Sequence, residues 1–600
     1  MFTHPVQPAY FDGLQFFLRV VAITFQRQLF SRASNPQPFE ENEMEERVWH
    51  KHYAAQASPH IEYEEITLPE GFDRTIKRFP GNTALELMGK KVSFTELDNA
   101  VSRMAFALQN LGVKKGDKVS LVLPNIPQVV IAAYATWKVG AVVVMNNPLY
   151  TERELTYQLN DSGSKVAIIM DVLIPRFNNI RADTGLEAII ACHIRDYLPF
   201  PLKQLFPFVK KELNRKISPS DNVLDMQALI AQSSPYYKPE YAGFDELAAL
   251  LYTGGTTGVS KGVMHNHSSL SINVQQATKL LFDLEDGKET VIGIMPIFHS
   301  AGFTFGMNHC IFRGFNHVLI PRPDPEGLLK AVLKYKPAIF GGVPTLYVGM
   351  LHHPKLPPKS ELSFIKGCIC GAAPLAVETI NEWHEKVGAQ IIEVYGMTEM
   401  SPVSHASPWH GVCKSGSVGI PYPDTDQKIV DVETGTKLMP TGEAGEIAVK
   451  GPQQMVGYYN KPEANTESIR DGWFYTGDIG YLDEEGYLFI SDRKKDMIIA
   501  GGYNIYPREI DEVLFEHPKV VEACAIGIPD EYRGETVKAF VVVAQGATMT
   551  EEEVISFCKE KLAAYKVPKT VEFMDDLPKS AIGKIMRKDL REMEMNKGNT

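Results

Sequence analysis

The strongest constraint on the fold is an alternation between Val92 and Met170. The stretch "VSFTELDNAVSRMAFALQNLG" carries apolar residues at helical spacing, with Ser93 or Thr95 placed to cap its start and Gly112 to end it. "DKVSLVLP" follows as a short buried strand, and "PQVVIAAYATWKVG" as a helix with Pro127 in its first turn. "AVVVMNN" reads as a strand, "TERELTYQLNDSG" as a helix and "KVAIIM" as a strand again. Strands separated by helices in this way pair in parallel and carry the helices on their faces, so the expectation is an α/β protein built in layers.

A chain of 600 residues exceeds the size of one core, so two or more domains are expected. The texture changes near residue 492. There "GYLFISDRKKDMIIAGGYNIYPREIDEVL" passes from strands through a charged run into a new helix, and strand, strand, helix and strand follow. We divide the chain into an extension (1–59), a large N-terminal domain of layered α/β subdomains (60–492) and a small α+β C-terminal domain (493–600). The run Asp492 to Asp496 is the hinge candidate. Hydrophobic content of 44% and charged content of 22% are those of an ordinary globular protein. A net charge of -12 argues against a nucleic-acid partner, which demands a basic footprint. The seven cysteines are odd in number and show no metal-ligand spacing, which points to reduced thiols and a cytoplasmic location.

Two segments stand apart. Residues 10–30, "YFDGLQFFLRVVAITFQRQLF", place Phe11, Leu14, Leu18, Val21, Phe25 and Leu29 at helical spacing. They carry Asp12, Arg19 and Arg27, which argues against a membrane span. This amphipathic helix suits its own protein, a second copy as the arm of a homodimer, or the inner face of the cell membrane. Residues 198–216, "LPFPLKQLFPFVKKELNRK", interleave apolar residues with Lys203, Lys210, Lys211, Arg215 and Lys216 against one Glu212. This patch fits either a loop over a groove or a contact with anionic lipid.

"YTGGTTGVSKG", Tyr252 to Gly262, is made for an anion. Four glycines let backbone amides turn inward, and threonines, a serine and Lys261 add donors and charge. The Walker A template fails, because Lys261 is preceded by Ser260 and followed by Gly262. Four further stretches keep company with this loop: "YGMTEMSP" (395–402), "GWFYTGDIGYLDEEGYL" (472–488), "ISDRKKDMIIAGGYNIYPREIDEV" and "LPKSAIGKIMRKDL" (577–590). In this order the five resemble the adenylate-forming enzymes, the group of acyl-CoA synthetases, luciferase and peptide-synthetase adenylation domains. The resemblance runs from about residue 70 to the end. "LYTGGTTGVSKG" and "YKVPKTVEF…LPKSAIGKI" look like the branch of bacterial long-chain fatty-acid–CoA ligases.

The resemblance implies two steps. A carboxylate attacks the α-phosphate of ATP to give an acyl-AMP and pyrophosphate, and the thiol of CoA then displaces AMP. The first step concentrates negative charge, so its catalysis is positioning and charge stabilisation. It implies that Thr253, Gly254, Gly255, Thr256, Thr257, Gly258 and Lys261 wrap the β- and γ-phosphates. Thr398 would contact the α-phosphate, and Glu399 would help hold Mg²⁺. Asp478 would accept from the ribose hydroxyls, with Arg493 also reaching the nucleotide. Gly371, Ala372, Ala373, Tyr395 and Gly396 would line the adenine side. Lys584 is implied as the catalytic lysine, bridging the phosphates and the attacking carboxylate. Lys495 would be the hinge about which the C-terminal domain rotates between steps. Gly501, Gly502 and, less directly, Lys566 would then meet CoA.

For the acid, Gly396 stands where acetate-specific relatives carry a tryptophan that plugs the pocket. His299, Phe303, Gly341 and Gly342 are the other acyl-pocket candidates, in "PIFHSAGFTFG" and "FGGVPTLY". An open apolar pocket suits a medium- or long-chain acid. Aryl acids, transfer to a carrier protein and operation in the ATP-forming direction stay open at this stage. So does a membrane-docked protein that binds acyl nucleotides without turnover, although the intact set of Lys584, Glu399, Asp478 and Arg493 argues against it.

Overall fold

The computed structural model describes residues 47–253, 260–322, 324–371, 375, 377–500, 503–530, 533–580 and 584–597. The helix expected at 10–30 lies outside them. The following concerns the unit from Val48 onward.

The alternating region folds as its pattern demands. Ser93 caps the helix Phe94–Asn110, its Oγ accepting from Glu96 N at 3.2 Å while the Glu96 carboxylate accepts from Ser93 N at 2.8 Å. Thr151 caps Glu152–Ser162 in the same way, and Gly163 ends that helix at φ 66°. Strands Lys118–Val122 and Val142–Met145 between them, and Val166–Met170 after the second, pair in parallel. The sheet continues through Ala188–Cys192 to Leu224–Asp225 on one side. On the other it runs through Leu247–Thr253 and the antiparallel Lys261–Asn266 to Gly457–Tyr458. A second large sheet runs from Lys90–Ser93 and Thr83–Leu87 through Asn316–Leu319, Thr290–Gly293, Ile339–Gly342 and Gly367–Cys370 to Gln390–Gly396, Val403–Ala406 and Ile420–Pro421.

Helix Pro127–Lys138 is buried along its whole length, because it touches strands of both large sheets. That explains its lack of a polar face. Its one cation, Lys138, is balanced by Asp73 at 3.0 Å and Asp98 at 2.8 Å from the two neighbouring helices. Trp137 and Phe303 meet edge to face in the core beside it, with ring centres 5.7 Å apart.

A third sheet pairs Asp426–Val430, Gly445–Lys450, Trp473–Leu482, Ile469–Arg470 and Leu488–Arg493. Beyond it a fourth sheet holds Ile498–Ala500, Tyr503–Ile505, Val520–Asp530, Gly534–Val543 and Thr570–Phe573, with its own apolar core. Helices Pro507–Phe515 and Glu551–Lys561 pack there, and helix Arg587–Lys597 follows the expected pattern as an extra element. Among the described residues no helix is long and apolar enough to cross a membrane.

Candidate active site

The site begins with register. In the third sheet Asp478 and Arg493 are direct cross-strand partners of the antiparallel pair Trp473–Leu482 and Leu488–Arg493. Opposite charges at facing positions attract, and Arg493 Nε lies 3.4 Å from Asp478 Oδ1. The other carboxylate oxygen accepts from Tyr395 Oη at 2.7 Å. Tyr395 ends a strand of the second large sheet and is nearly buried, so the carboxylate is fixed from two sheets at once.

Next to it, Thr398, Glu399 and Met400 form a single tight turn after Gly396. Thr398 Oγ1 lies 3.3 Å from Ser300 Oγ. Tyr458 Oη donates to Glu399 Oε1 at 2.8 Å, and burial raises the Glu399 pKa while Lys261 opposes the rise. The Lys261 ammonium stands 4.6 Å from the centre of the Tyr458 ring. Tyr458 therefore links the lysine of the phosphate loop to the carboxylate of the turn. Thr253 and Lys261 face each other across the hairpin that carries the loop. Gly254, Gly255, Thr256, Thr257 and Gly258 lie outside the described residues, as do Ala372, Ala373, Gly501 and Gly502.

Lys584 comes from the far end of the chain. Ser580 N donates to Lys584 O at 2.8 Å and Lys584 N to Ser580 Oγ at 3.2 Å, closing a narrow loop before the last helix. Lys584 is partly buried, and its pKa is pushed down to about 8, first by desolvation and then by the Arg493 charge, against the pull of Asp478. Lys584 in turn lowers His299, whose pKa burial already depresses. Lys584, Arg493, Asp478 and His299 thus share one electrostatic neighbourhood. Lys495 joins it, pushed down to about 8 by burial and Arg493. The charged run around Lys495 is tied at both ends. Asp492 accepts from Arg508 N at 2.7 Å, and Asp496 pairs with Arg591 at 2.6 Å.

The acyl-pocket expectations need two corrections. Phe303 does not line a cavity: it is fully buried against Trp137 in the core between the large sheets. Residues 302–308 wind as a π-helix, and this turn presents Phe305 and Gly306 instead. They share a small cavity with Ile292, Gly293, Ile294, Met295 and Gly341. Gly342 is the second correction. Side chains alternate along Ile339–Gly342, so a Cβ on Gly341 would point at Met295 Cε, 2.8 Å away, and one on Gly342 at the Tyr347 ring, 3.0 Å away. At Gly396 a Cβ would sit 2.0 Å from the Pro402 carbonyl oxygen, so a close backbone approach by itself requires glycine there.

Gly371 is also close-packed, with the position of a Cβ 2.8 Å from Val394 Cγ2. Lys566 is engaged, its ammonium 2.6 Å from both carboxylate oxygens of Glu509. Two residues of the site escaped the sequence reading: Ser300 beside Thr398, and Tyr458 beneath Lys261. "MVGYYN" offers no local signal for Tyr458, since its partner Glu399 is 59 positions away.

Comparison with known proteins gives the family. The family model described as AMP-binding enzyme matches residues 72–459, and that of the AMP-binding enzyme C-terminal domain matches 509–584. A long-chain-fatty-acid–CoA ligase of Bacillus subtilis is 45% identical over 86% of this chain and 92% of its own length. One from Escherichia coli O6:H1 is 37% identical over 91% and 98%. The crystal structure of ATP-bound MatB from Rhodopseudomonas palustris superposes with a TM-score of 0.78 at 32% identity, covering 88% of this chain and 99% of that one.

Proposed function

Because the chain belongs to the AMP-binding enzyme family, we propose a division of labour among its residues for making a thioester. The protein is an AMP-forming acid–CoA ligase: a fatty acid, ATP and CoA give fatty acyl-CoA, AMP and pyrophosphate. One observation carries the assignment of roles: Asp478, paired across the strands with Arg493 and held by the Tyr395 hydroxyl, is fixed from two sheets, next to the turn that carries Thr398 and Glu399.

In the first step a carboxylate oxygen of the acid attacks the α-phosphorus, and the bond to pyrophosphate breaks. Lys584 holds the attacking carboxylate and the α-phosphate together and offsets their charge. Thr253, Lys261 and the glycine-rich loop between them hold the β- and γ-phosphates, and Thr398 holds the α-phosphate. Asp478 takes the ribose hydroxyls, its geometry set by Tyr395 and Arg493. Glu399 fits a hard cation, because it is a carboxylate beside the phosphate loop whose Oε1 accepts one hydrogen bond, from Tyr458, within reach of the Lys261 charge. No cluster of three ligand side chains stands among the described residues, and Glu399 is the carboxylate that would hold Mg²⁺ beside the phosphates of ATP. Mg²⁺ held there would neutralise phosphate charge during transfer.

In the second step the CoA sulfur attacks the acyl carbonyl, the bond to AMP breaks, and the thiol proton is lost. Lys584 has to withdraw first, and rotation about Lys495 removes it. Lys566 meets CoA only by giving up Glu509. The acid is medium- to long-chain, a reading supported by relatives named for long-chain fatty acids at 45% and 37% identity, and each methylene buried on binding contributes about 0.8 kcal/mol. The seven cysteines, all unpaired, suit the cytoplasm, with the membrane surface as the place where the acid is met.

The test is AMP release with ATP, Mg²⁺ and acids from acetate to palmitate plus benzoate, with and without CoA. Turnover that requires CoA and peaks on long alkyl chains is expected. Accumulation of acyl-AMP that CoA does not discharge would point to transfer onto a carrier protein and overturn the CoA assignments.

A further inference from the structure

The segment 198–216 is the strongest feature of the surface that catalysis leaves unused. It leaves the body and returns at one buried point. The Asp171 carboxylate, fully buried, lies 2.7 Å from His193 Nδ1 at the start and accepts from Arg215 N at 2.6 Å at the end. Arg215 is tied again through its guanidinium to Asp221 at 2.5 Å. Phe206 and Ile217 pack onto the core, which fixes the excursion against the sheet below.

What this excursion shows to solvent is apolar. Phe200 is 83% exposed, Phe208 75% and Val209 70%, with Leu202, Leu205 and Leu213 also exposed. Helix Leu202–Val209 carries most of them. An exposed apolar cluster rimmed by polar residues marks an interaction surface. The charges around it are basic: Lys203, Lys210, Lys211 and Lys216 flank the apolar residues, against Glu212 alone, in a chain whose net charge is -12. Lys211 and Lys216 are themselves exposed.

We propose that residues 198–216 are the foot by which this enzyme sits on an anionic lipid bilayer. Phe200, Leu205, Phe208 and Val209 enter the interface, while Lys203, Lys210, Lys211 and Lys216 meet the headgroups. Charge complementarity selects the occupant. A negative surface attracts the lysines, while the rest of this acidic protein is repelled and stays clear. The chemistry of the substrate agrees, because a long-chain acid partitions into bilayers and the enzyme that consumes it gains by standing there. That last point rests on the ligase reading; the binding surface itself does not.

The test is flotation of the full chain with vesicles of phosphatidylcholine containing one-third phosphatidylglycerol, beside vesicles of phosphatidylcholine alone. Binding to the anionic vesicles is expected, weakening with salt and by about fivefold for each lysine removed among Lys203, Lys210, Lys211 and Lys216. Phe208→Ser with Val209→Ser should release the protein while AMP production from octanoate in solution stays at the wild-type rate. Wild-type protein that fails to bind anionic vesicles overturns the proposal. So do variants that bind as tightly as wild type, which would move the contact elsewhere in the chain. Self-association lost in the Phe208 and Val209 variant, without vesicle binding by the wild type, would assign the patch to a second copy and also overturn it. Absence of AMP release from octanoate would fail the ligase reading alone, since flotation does not depend on turnover.

Discussion

Asp478 and Lys584 occupy the same site but are held in opposite ways. Asp478 is locked by sheet register against Arg493 and by the Tyr395 hydroxyl from a second sheet. Lys584 is held by a narrow loop closed on Ser580, far along the chain and beyond a charged linker. A group needed in both half-reactions belongs on a rigid frame. A group needed in only one belongs on a part that leaves.

The comparison breaks or stands on substitutions at these two residues. Lys584→Ala should lower acyl-AMP formation by about 10³-fold, the scale of removing one preorganised charge at a transition state. Thioester formation from supplied acyl-AMP should stay near wild type. Equal damage to both half-reactions would mean that Lys584 does not withdraw. Asp478→Asn should behave differently. It keeps the shape but loses the charge that Arg493 and the ribose use, at a cost of about 1.5–3 kcal/mol. Both half-reactions should suffer, with a raised KM for ATP and weaker use of acyl-AMP.

The pH profile sharpens the contrast. Burial and Arg493 favour the neutral amine of Lys584 and bring its pKa to about 8. The charged amine is the working form, so adenylation is fully supported well below that value. The kcat/KM should fall about tenfold per pH unit above it. The thioester step with supplied acyl-AMP should lack this limb. Its presence there would assign the titration to another group, with Lys495 the first suspect, since its pKa is also pushed down to about 8. A smaller effect is expected of Tyr458→Phe. It removes the donor to Glu399 at a cost of about 1 kcal/mol, and should raise the Mg²⁺ concentration needed for adenylation more than the KM for the acid.

The rigid half of the site was the more legible in the sequence. Strand–helix alternation and Ser93 and Thr151 as caps rest on local chemistry, and each folds as read. The motif residues Thr398, Glu399, Asp478, Arg493 and Lys584 were found through the resemblance, and the structure brings Asp478, Arg493 and Lys584 into one neighbourhood. Ser300 and Tyr458 were not legible, because each is defined by a partner roughly a hundred or sixty positions away. The packing demand on Gly396 was illegible for a related reason: a Cβ there would meet the Pro402 carbonyl, a contact made by a turn that the sequence does not display.

Phe303 and Phe305 give the finest discrimination, because two residues along one turn face opposite worlds. An ordinary helical reading does not tell which phenylalanine meets the substrate. The π-helical winding sends Phe303 against Trp137 and Phe305 to the cavity with Gly306 and Gly341. Phe303→Ala should therefore act on stability, costing about 3–5 kcal/mol as a large core truncation, without changing the preferred acid. Phe305→Ala should leave the melting temperature less affected and move the preference toward longer or bulkier acids. A newly accommodated methylene contributes about 0.8 kcal/mol, a fourfold gain in kcat/KM. Thermal melts and an acid-length series on the same two variants separate the outcomes. If Phe303→Ala shifts chain length and Phe305→Ala does not, the acyl channel runs through the core side of the turn, and the first reading of Phe303 was the better one.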